Sequence, residues 1–335
     1  MYYQIEKNEI TNLLDHWMKL AGVFAPTEKG QFTVFENLMH GDELRINGPH
    51  NTRYPPKSLF LPQSERLFTL KNGNLVEPKI NNEPRIVFGI RPCDAHALTL
   101  LDTVFLTDQY KDPYWQAERE RTILVGLGCD EPCASCFCTT VGSGPFETRG
   151  LDILFIPLNE KYIIKQVTEK GGSLLTDLRK VPDTIETEIQ KLEQKAINSL
   201  PIAFETIDIR EKLYKLFSDA YWLKVSQSCL GCGVCTFLCP TCYCFDIVDE
   251  AQRGERVRNW DTCMFRIYSQ EASGHNPRPS RFERTRQRLM HKYAYWLDSI
   301  NEIGCTGCGR CVRYCPVGLD IRDMIRKAQN WEVVE

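Results

Sequence analysis

Nowhere does the sequence offer an apolar run approaching the roughly 18 residues that a membrane span needs, which argues against a protein anchored by hydrophobic helices. It also lacks a strong charge of either sign. The formal net charge is −3, so no overall field draws the chain to nucleic acid or to an anionic membrane. The opening stretch MYYQIEKNEITNLLDHW has no basic head followed by apolar and small cleavage residues. No export signal is expected, and the reading is cytoplasmic. No Walker-type phosphate loop and no G-x-G-x-x-G fingerprint occur, and VGSGP (141–145) lacks a flanking strand and helix. No nucleotide or flavin is therefore expected on this chain. Low-complexity tracts are absent too, and the only repetition is a pair of cysteine runs.

Cysteine is what the chain has in excess: 16 among 335 residues. A reducing cytosol disfavours a large disulfide framework, and a chain with 42% apolar residues can bury a core without one. The cysteines fall in three groups, at 93–138, 229–263 and 305–315. Thiols used merely as small buried hydrophobes would be scattered. Grouped thiols in a reducing compartment point to metal.

The pattern of elements suggests two domains. Residues 6–20 read as an amphipathic helix and 30–82 as short strands and loops. RIVFGI (85–90) is a buried strand that runs into Arg91, Pro92 and Cys93, with Asp94 as the cap of a helix behind it. Asp112 and Pro113 form another cap and first turn. TILVGLG (122–128) is a second buried strand that delivers Cys129, and LDILFIPL and KYIIKQV are further strands. Ligands collect at the carboxyl edge of such sheets. The expected fold is an α/β or α+β domain over 1–200, bounded by the helix ETEIQKLEQKAINSL and Pro201, then an α-helical domain over 205–335.

Residues 229–240 read CLGCGVCTFLCP and 305–316 read CTGCGRCVRYCP, both C-x2-C-x2-C-x3-C-P. Two-residue gaps let three successive thiolates converge on three corners of a [4Fe–4S] cube. Gly231, Gly233, Gly307 and Gly309 permit the tight turns and close approach. The fourth cysteine of each run ligates the other cube. The predicted sets are Cys229, Cys232, Cys235 and Cys315 for one cube, and Cys305, Cys308, Cys311 and Cys239 for its partner. Paired zinc sites fit this spacing poorly, since zinc favours two C-x2-C pairs. Cys239 and Cys305 are separated by 65 residues, 240–304, and the insert includes SRFERTRQRLMHKYAYWLDSI, read as one long helix. This resembles the α-helical ferredoxin modules of fumarate and heterodisulfide reductases. Two adjacent one-electron centres make a wire, and no acid–base pocket competes with that use.

The remaining cysteines admit several readings. CDEPCASCFC supplies Cys129, Cys133, Cys136 and Cys138, with Cys93 upstream. These suit a third cube at the strand ends, a C-x3-C-x2-C motif of the radical S-adenosylmethionine type, or structural thiols. Cys242, Cys244 and Cys263 suit a fourth cluster or groups that tune the neighbouring cubes. The basic stretch Arg278, Arg281, Arg284, Arg286, Arg288 and Lys292 reads as a solvated face, a docking surface for an acidic partner, or an offset to cluster charge. His275 and His291 have no ligand spacing.

FGIRPCDAHALTLLDTVFL, DPYW, ERTILVGLGC, CFCTTVGSGP, CLGCGVCTFLCPTCYCFDI, RGERVRNWDTCMF and SGHNPRP together resemble a known family. It is that of the iron–sulfur beta subunit of soluble NiFe hydrogenases (sulfhydrogenases) and the related iron–sulfur subunit of anaerobic sulfite reductase. The resemblance spans most of 85–335. It implies a non-catalytic electron-transfer subunit of a multisubunit anaerobic oxidoreductase. That subunit bridges an FAD/NAD(P)-binding, ferredoxin-reductase-like partner and a catalytic or further iron–sulfur subunit of hydrogenase, sulfite-reductase or heterodisulfide-reductase type. Carried over by position, Cys93, Cys129, Cys136 and Cys138 hold a third [4Fe–4S] cluster, and Cys133 is left spare. The rival expectations are a self-contained enzyme with chemistry at the N-terminal cluster, and a cluster-based redox sensor, for which no switching module is evident.

Overall fold

The computed structural model describes residues 1–46 and 51–332, so the last three residues of the expected 205–335 domain lie outside the described residues. The chain forms two compact units. Unit 1 is Met1–Phe60, Ile80–Pro201 and Thr306–Cys308; unit 2 is Leu61–Lys79, Ile202–Cys305 and Gly309–Glu335. The segment Leu61–Lys79, which the sequence reading placed with the N-terminal domain, thus groups with unit 2.

In chain order the strands are β1 (Tyr2–Glu6), β2 (Gly22–Lys29), β3 (Phe32–Asn37), β4 (Ser64–Lys71), β5 (Asn74–Val76), β6 (Arg85–Ile90), β7 (Thr122–Leu127), β8 (Ile153–Leu158), β9 (Lys161–Gln166), β10 (Arg179–Val181), β11 (Phe245–Glu250) and β12 (Glu255–Trp260). Unit 1 is built on an eight-stranded sheet, ordered β10-β1-β9-β8-β7-β6-β2-β3. Its centre, β2-β6-β7-β8, is parallel, and the flanking pairs are antiparallel. All six residues of β6 are buried, as a near-continuous apolar run in a parallel sheet requires.

The helix Ile10–Trp17 lays Ile10, Leu14 and Trp17 on one face against this sheet's core. Trp17 meets Phe88 and Phe155 edge-on, at ring separations of 6.2 and 6.3 Å. The expected helix over 6–20 therefore overreaches at its start: Tyr2–Glu6 is a strand, paired to both β9 and β10. The helix after β6 spans Pro92–Phe105, with Pro92 in the first turn and Arg91 as its cap. Asp94 lies inside it and is buried. Asp112 caps Pro113–Glu120, accepting from the Tyr114 and Trp115 amides at 3.0 Å each.

Unit 2 combines short helices with a four-stranded antiparallel sheet, ordered β11-β12-β4-β5. The all-helical expectation missed this sheet, which draws two strands from before residue 80. The long helix of the insert is present, as Arg281–Met290, a π-helical turn His291–Tyr295, and Trp296–Ile300. Ser280 and Glu283 close its start as a capping box. The protein is thus a mixed α/β chain with one large sheet.

Candidate metal centres

The two cysteine runs fold alike. Gly231 and Gly233 take φ of 70° and 75°, and Gly307 and Gly309 take 64° and 73°. These left-handed turns open the one-turn helices Val234–Phe237 and Arg310–Arg313. In unit 2, Cys229, Cys232, Cys235 and Cys315 line one recess of about 560 Å³, together with Cys311. These four are the set that the crossover rule assigns to the first cube. Backbone amides already point at two of the sulfurs: Gly231 N donates to Cys229 Sγ at 3.4 Å and Leu319 N to Cys315 Sγ at 3.3 Å. Thr285 and Arg288 also line this recess, and Thr285 Oγ1 and Arg288 Nε are buried without an acceptor. Thiolate ligands with unused buried donors suit a sulfide-bearing anionic cluster.

Of the second set, Cys311 lines this recess too, with Cys239 and Cys305 as its neighbours. Cys311 is pushed up to about 11 by burial first, with the thiolates of Cys305, Cys239 and Cys235 adding to it. Cys239 is held well below the usual thiol range by its hydrogen bond with Cys242, with Lys292 and Thr241 helping against burial. The Thr241 hydroxyl lies 3.3 Å from Cys239 Sγ. Cys308, the fourth member, belongs by packing to unit 1.

In unit 1, β6 and β7 are adjacent and parallel, so Arg91-Pro92-Cys93 and Gly128-Cys129 emerge at the same carboxyl edge, as expected. There Cys93, Cys129, Cys133, Cys136, Cys138 and Cys308 line a recess of about 410 Å³. Cys133, set aside on the resemblance, sits in it with the others. Its hydrogen bond with the Cys136 thiol is the main cause that pushes Cys136 far above the thiol range, with burial second. Burial pushes Cys138 up to about 12. Arg91 Nη1 donates to Gly128 O at 2.8 Å and eases the charging of Cys129, whose thiol burial raises. The three-residue strip Thr306–Cys308 closes the recess: Phe137 N donates to Gly307 O at 2.9 Å, and Asn51 Nδ2 to Cys308 O at 2.9 Å.

Among the described residues no three Cys, His, Asp or Glu side chains close on one point at the spacing a single metal ion needs. Of the spare thiols, all free, Cys242 shares a hydrogen bond with Cys239 and Cys263 one with Cys244. His275 is exposed. His291 is held down to about 4 by burial and by Lys292, and its ring accepts from Trp296 Nε1 at 3.2 Å. The basic stretch divides: Arg284, Arg288 and Lys292 are buried, whereas Arg281 is exposed and reaches back to Cys229 O at 2.7 Å. Sequence reasoning treated these cations as one face. Their spacing among Leu289, Tyr293 and Trp296 on the helix is the signal that separates the inward set.

The family model described as a 4Fe-4S dicluster domain matches residues 228–319. Sulfhydrogenase 2 subunit beta of Pyrococcus furiosus is 28% identical over 327 residues, covering 95% of this chain and 96% of that protein. No solved structure matches. The resemblance to sulfhydrogenase beta subunits therefore holds along nearly the whole chain, and a dicluster domain occupies the region of the two runs.

Proposed function

We propose that this chain is the electron-transfer iron–sulfur subunit of a multisubunit anaerobic oxidoreductase of the cytoplasm. It relays single electrons between an FAD/NAD(P)-binding, ferredoxin-reductase-like subunit and a catalytic or further cluster-bearing subunit. The hydrogenase, sulfite-reductase and heterodisulfide-reductase types are the candidate catalytic partners. Its cluster module is of the α-helical ferredoxin kind, with a small sheet attached. The observation that carries the reading is the recess shared by Cys229, Cys232, Cys235 and Cys315, two runs of one sequence brought to one space. The similarity to a hydrogenase beta subunit supports the same role.

Each cube, when bound, exchanges one electron. The chain's own residues do the rest. Eight thiolates of the two runs hold two cubes, and Cys93, Cys129, Cys136 and Cys138 hold a third at the sheet edge. Gly231 N and Leu319 N donate to ligand sulfurs, which stabilises the reduced, more negative form. Apolar Met264, Leu319, Ile321 and Met324 wall the first recess and limit water there.

Anaerobically purified protein is expected to carry about 12 irons per chain, four for each cube. A value near eight would remove the N-terminal cube, and iron-poor or zinc-loaded protein would end the proposal. Cys235→Ala should strip one cube and collapse electron flow between partner subunits; normal flow would sink the relay.

A self-contained enzyme is a second reading, favoured by one feature. A polar cavity of about 570 Å³, lined by Thr33, Arg45, Thr52 and Asp94, shares Arg91 and Asn51 with the cysteine recess of unit 1. A change in the N-terminal cube's paramagnetic resonance spectrum on adding a small anion would favour it; no change would count against it.

A further inference from the structure

Two cations are buried beside the cysteine runs with no carboxylate to answer them. Arg288 and Lys292 stand four residues apart on the insert helix and its π turn, 6% and 3% exposed. Neither makes an ion pair among the described residues. Lys292 Nζ donates to Thr241 Oγ1 at 2.7 Å and to Gly304 O at 2.9 Å. Arg288 Nη2 reaches Cys235 O at 3.4 Å, and its Nε finds nothing. A buried charge without a partner is costly, and folded chains avoid it unless a counter-charge is present.

The counter-charges in reach are thiolates, and the two cations do not meet the same ones. Arg288 lines the recess of Cys229, Cys232, Cys235, Cys311 and Cys315, and so faces both runs. Lys292 instead sits on the Thr241 hydroxyl and the Gly304 carbonyl, close in the chain to Cys239 and Cys305. Cys239 and Cys305 belong to one predicted cube only. The Thr241 hydroxyl links Lys292 to Cys239 Sγ directly. His291, next along the helix, is neutral and adds no charge.

We propose that Lys292 orders the pair of cubes, holding the one ligated by Cys239, Cys305 and Cys311 at a higher reduction potential than the one ligated by Cys229, Cys232, Cys235 and Cys315. Reduction adds one negative charge, and a fixed cation stabilises that charge more the nearer it stands. Arg288 raises both cubes, and Lys292 raises one. An electron entering the pair therefore comes to rest on the cube of Cys239 and Cys305. This rests on the two-cube reading.

The test is a redox titration of the anaerobic, iron-loaded protein, followed by paramagnetic resonance. Lys292→Gln should weaken the reduction of one cube about tenfold, 59 mV for one electron, while the other stays put; Lys292→Arg should restore it. Independently of whether those variants load, Cys235→Ala should delete the lower-potential signal of the native titration. Loss of the higher-potential signal instead would overturn the ordering, as would equal shifts of both cubes in Lys292→Gln. Iron short of two cubes in the native protein would fail the two-cube reading itself; full iron with the reverse order fails only this inference.

Discussion

At the scale of the residue, spacing brought Cys229, Cys232, Cys235 and Cys315 together as the structure does, because a cube dictates which thiolates can reach its corners, whereas Cys308 lines the recess of unit 1. Their glycines were legible for the same reason. Gly233, at φ 75°, would bring a Cβ to 3.0 Å from Thr262 Cγ2 and 3.2 Å from Phe237 and Phe265, so a side chain there would press on its neighbours as well as strain the backbone. Lys292 and Arg288 were not legible as inward cations, since RTRQRLMHK reads as a charged face until the neighbouring Leu289 and Tyr293 are weighed. The place of Cys133 was not legible either, because a cysteine's position in a loop depends on turns that spacing alone does not set. With Cys93, Cys129, Cys136 and Cys138 as ligands, Cys133→Ala should keep the full iron content. Cys136→Ala should lower it by about four atoms per chain. Equal losses in the two variants, by iron assay, would assign Cys133 to the cluster.

At the scale of the element, β6 and β7 could be read almost to the residue, since a central parallel strand is apolar along nearly its whole length, and the buried polar residues Arg85 and Thr122 stand only at the first positions. The hairpin β11–β12 was overlooked. β11 is exposed along most of its length, Ile247 and Val248 included, and only Val257 and Arg258 of β12 are buried, so it carried no core signal. The turn at Gly254, with φ 61°, was the cue available between the two runs of alternation. The helix Pro92–Phe105 begins two residues before the expected cap because Pro92 suits the first turn and leaves no amide unsatisfied. Where a side-chain cap is present, it should be measurable. Asp112→Ala removes the acceptor for two amides at the start of Pro113–Glu120 and should cost about 1 kcal/mol in chemical denaturation. Asp112→Asn should cost little, and an alanine variant as stable as the native protein would refute the cap's role. The π turn His291–Tyr295 acts as one extra residue in an α-helix. It sets the rotation of Trp296 relative to Arg288, an angle that periodicity did not reveal.

At the scale of the whole molecule, the sequence suggested a break near residue 200, whereas β4 and β5 complete the sheet of unit 2 from upstream. Arg258 on β12 pairs with Glu65 on β4, both largely buried. A fragment of residues 205–335 would leave the inner edge of β12 unpaired and Arg258 without its carboxylate. Such an edge invites association. The fragment is expected to aggregate and to hold fewer than eight irons, checked by gel filtration and iron assay; a monomeric fragment with both cubes would contradict the architecture. Linear reading misses this because strand partners far apart in the chain leave no local mark.

The strip Thr306–Cys308 sets a schedule for manufacture. The sheet of unit 1 is complete in sequence by Pro201, yet the carbonyls that fasten Phe137 and Asn51 over its cysteines belong to residues 307 and 308. At roughly 5–20 residues per second, a ribosome needs on the order of ten seconds to reach them. The strip that fastens the recess of unit 1 is therefore made about a hundred residues after the rest of that unit.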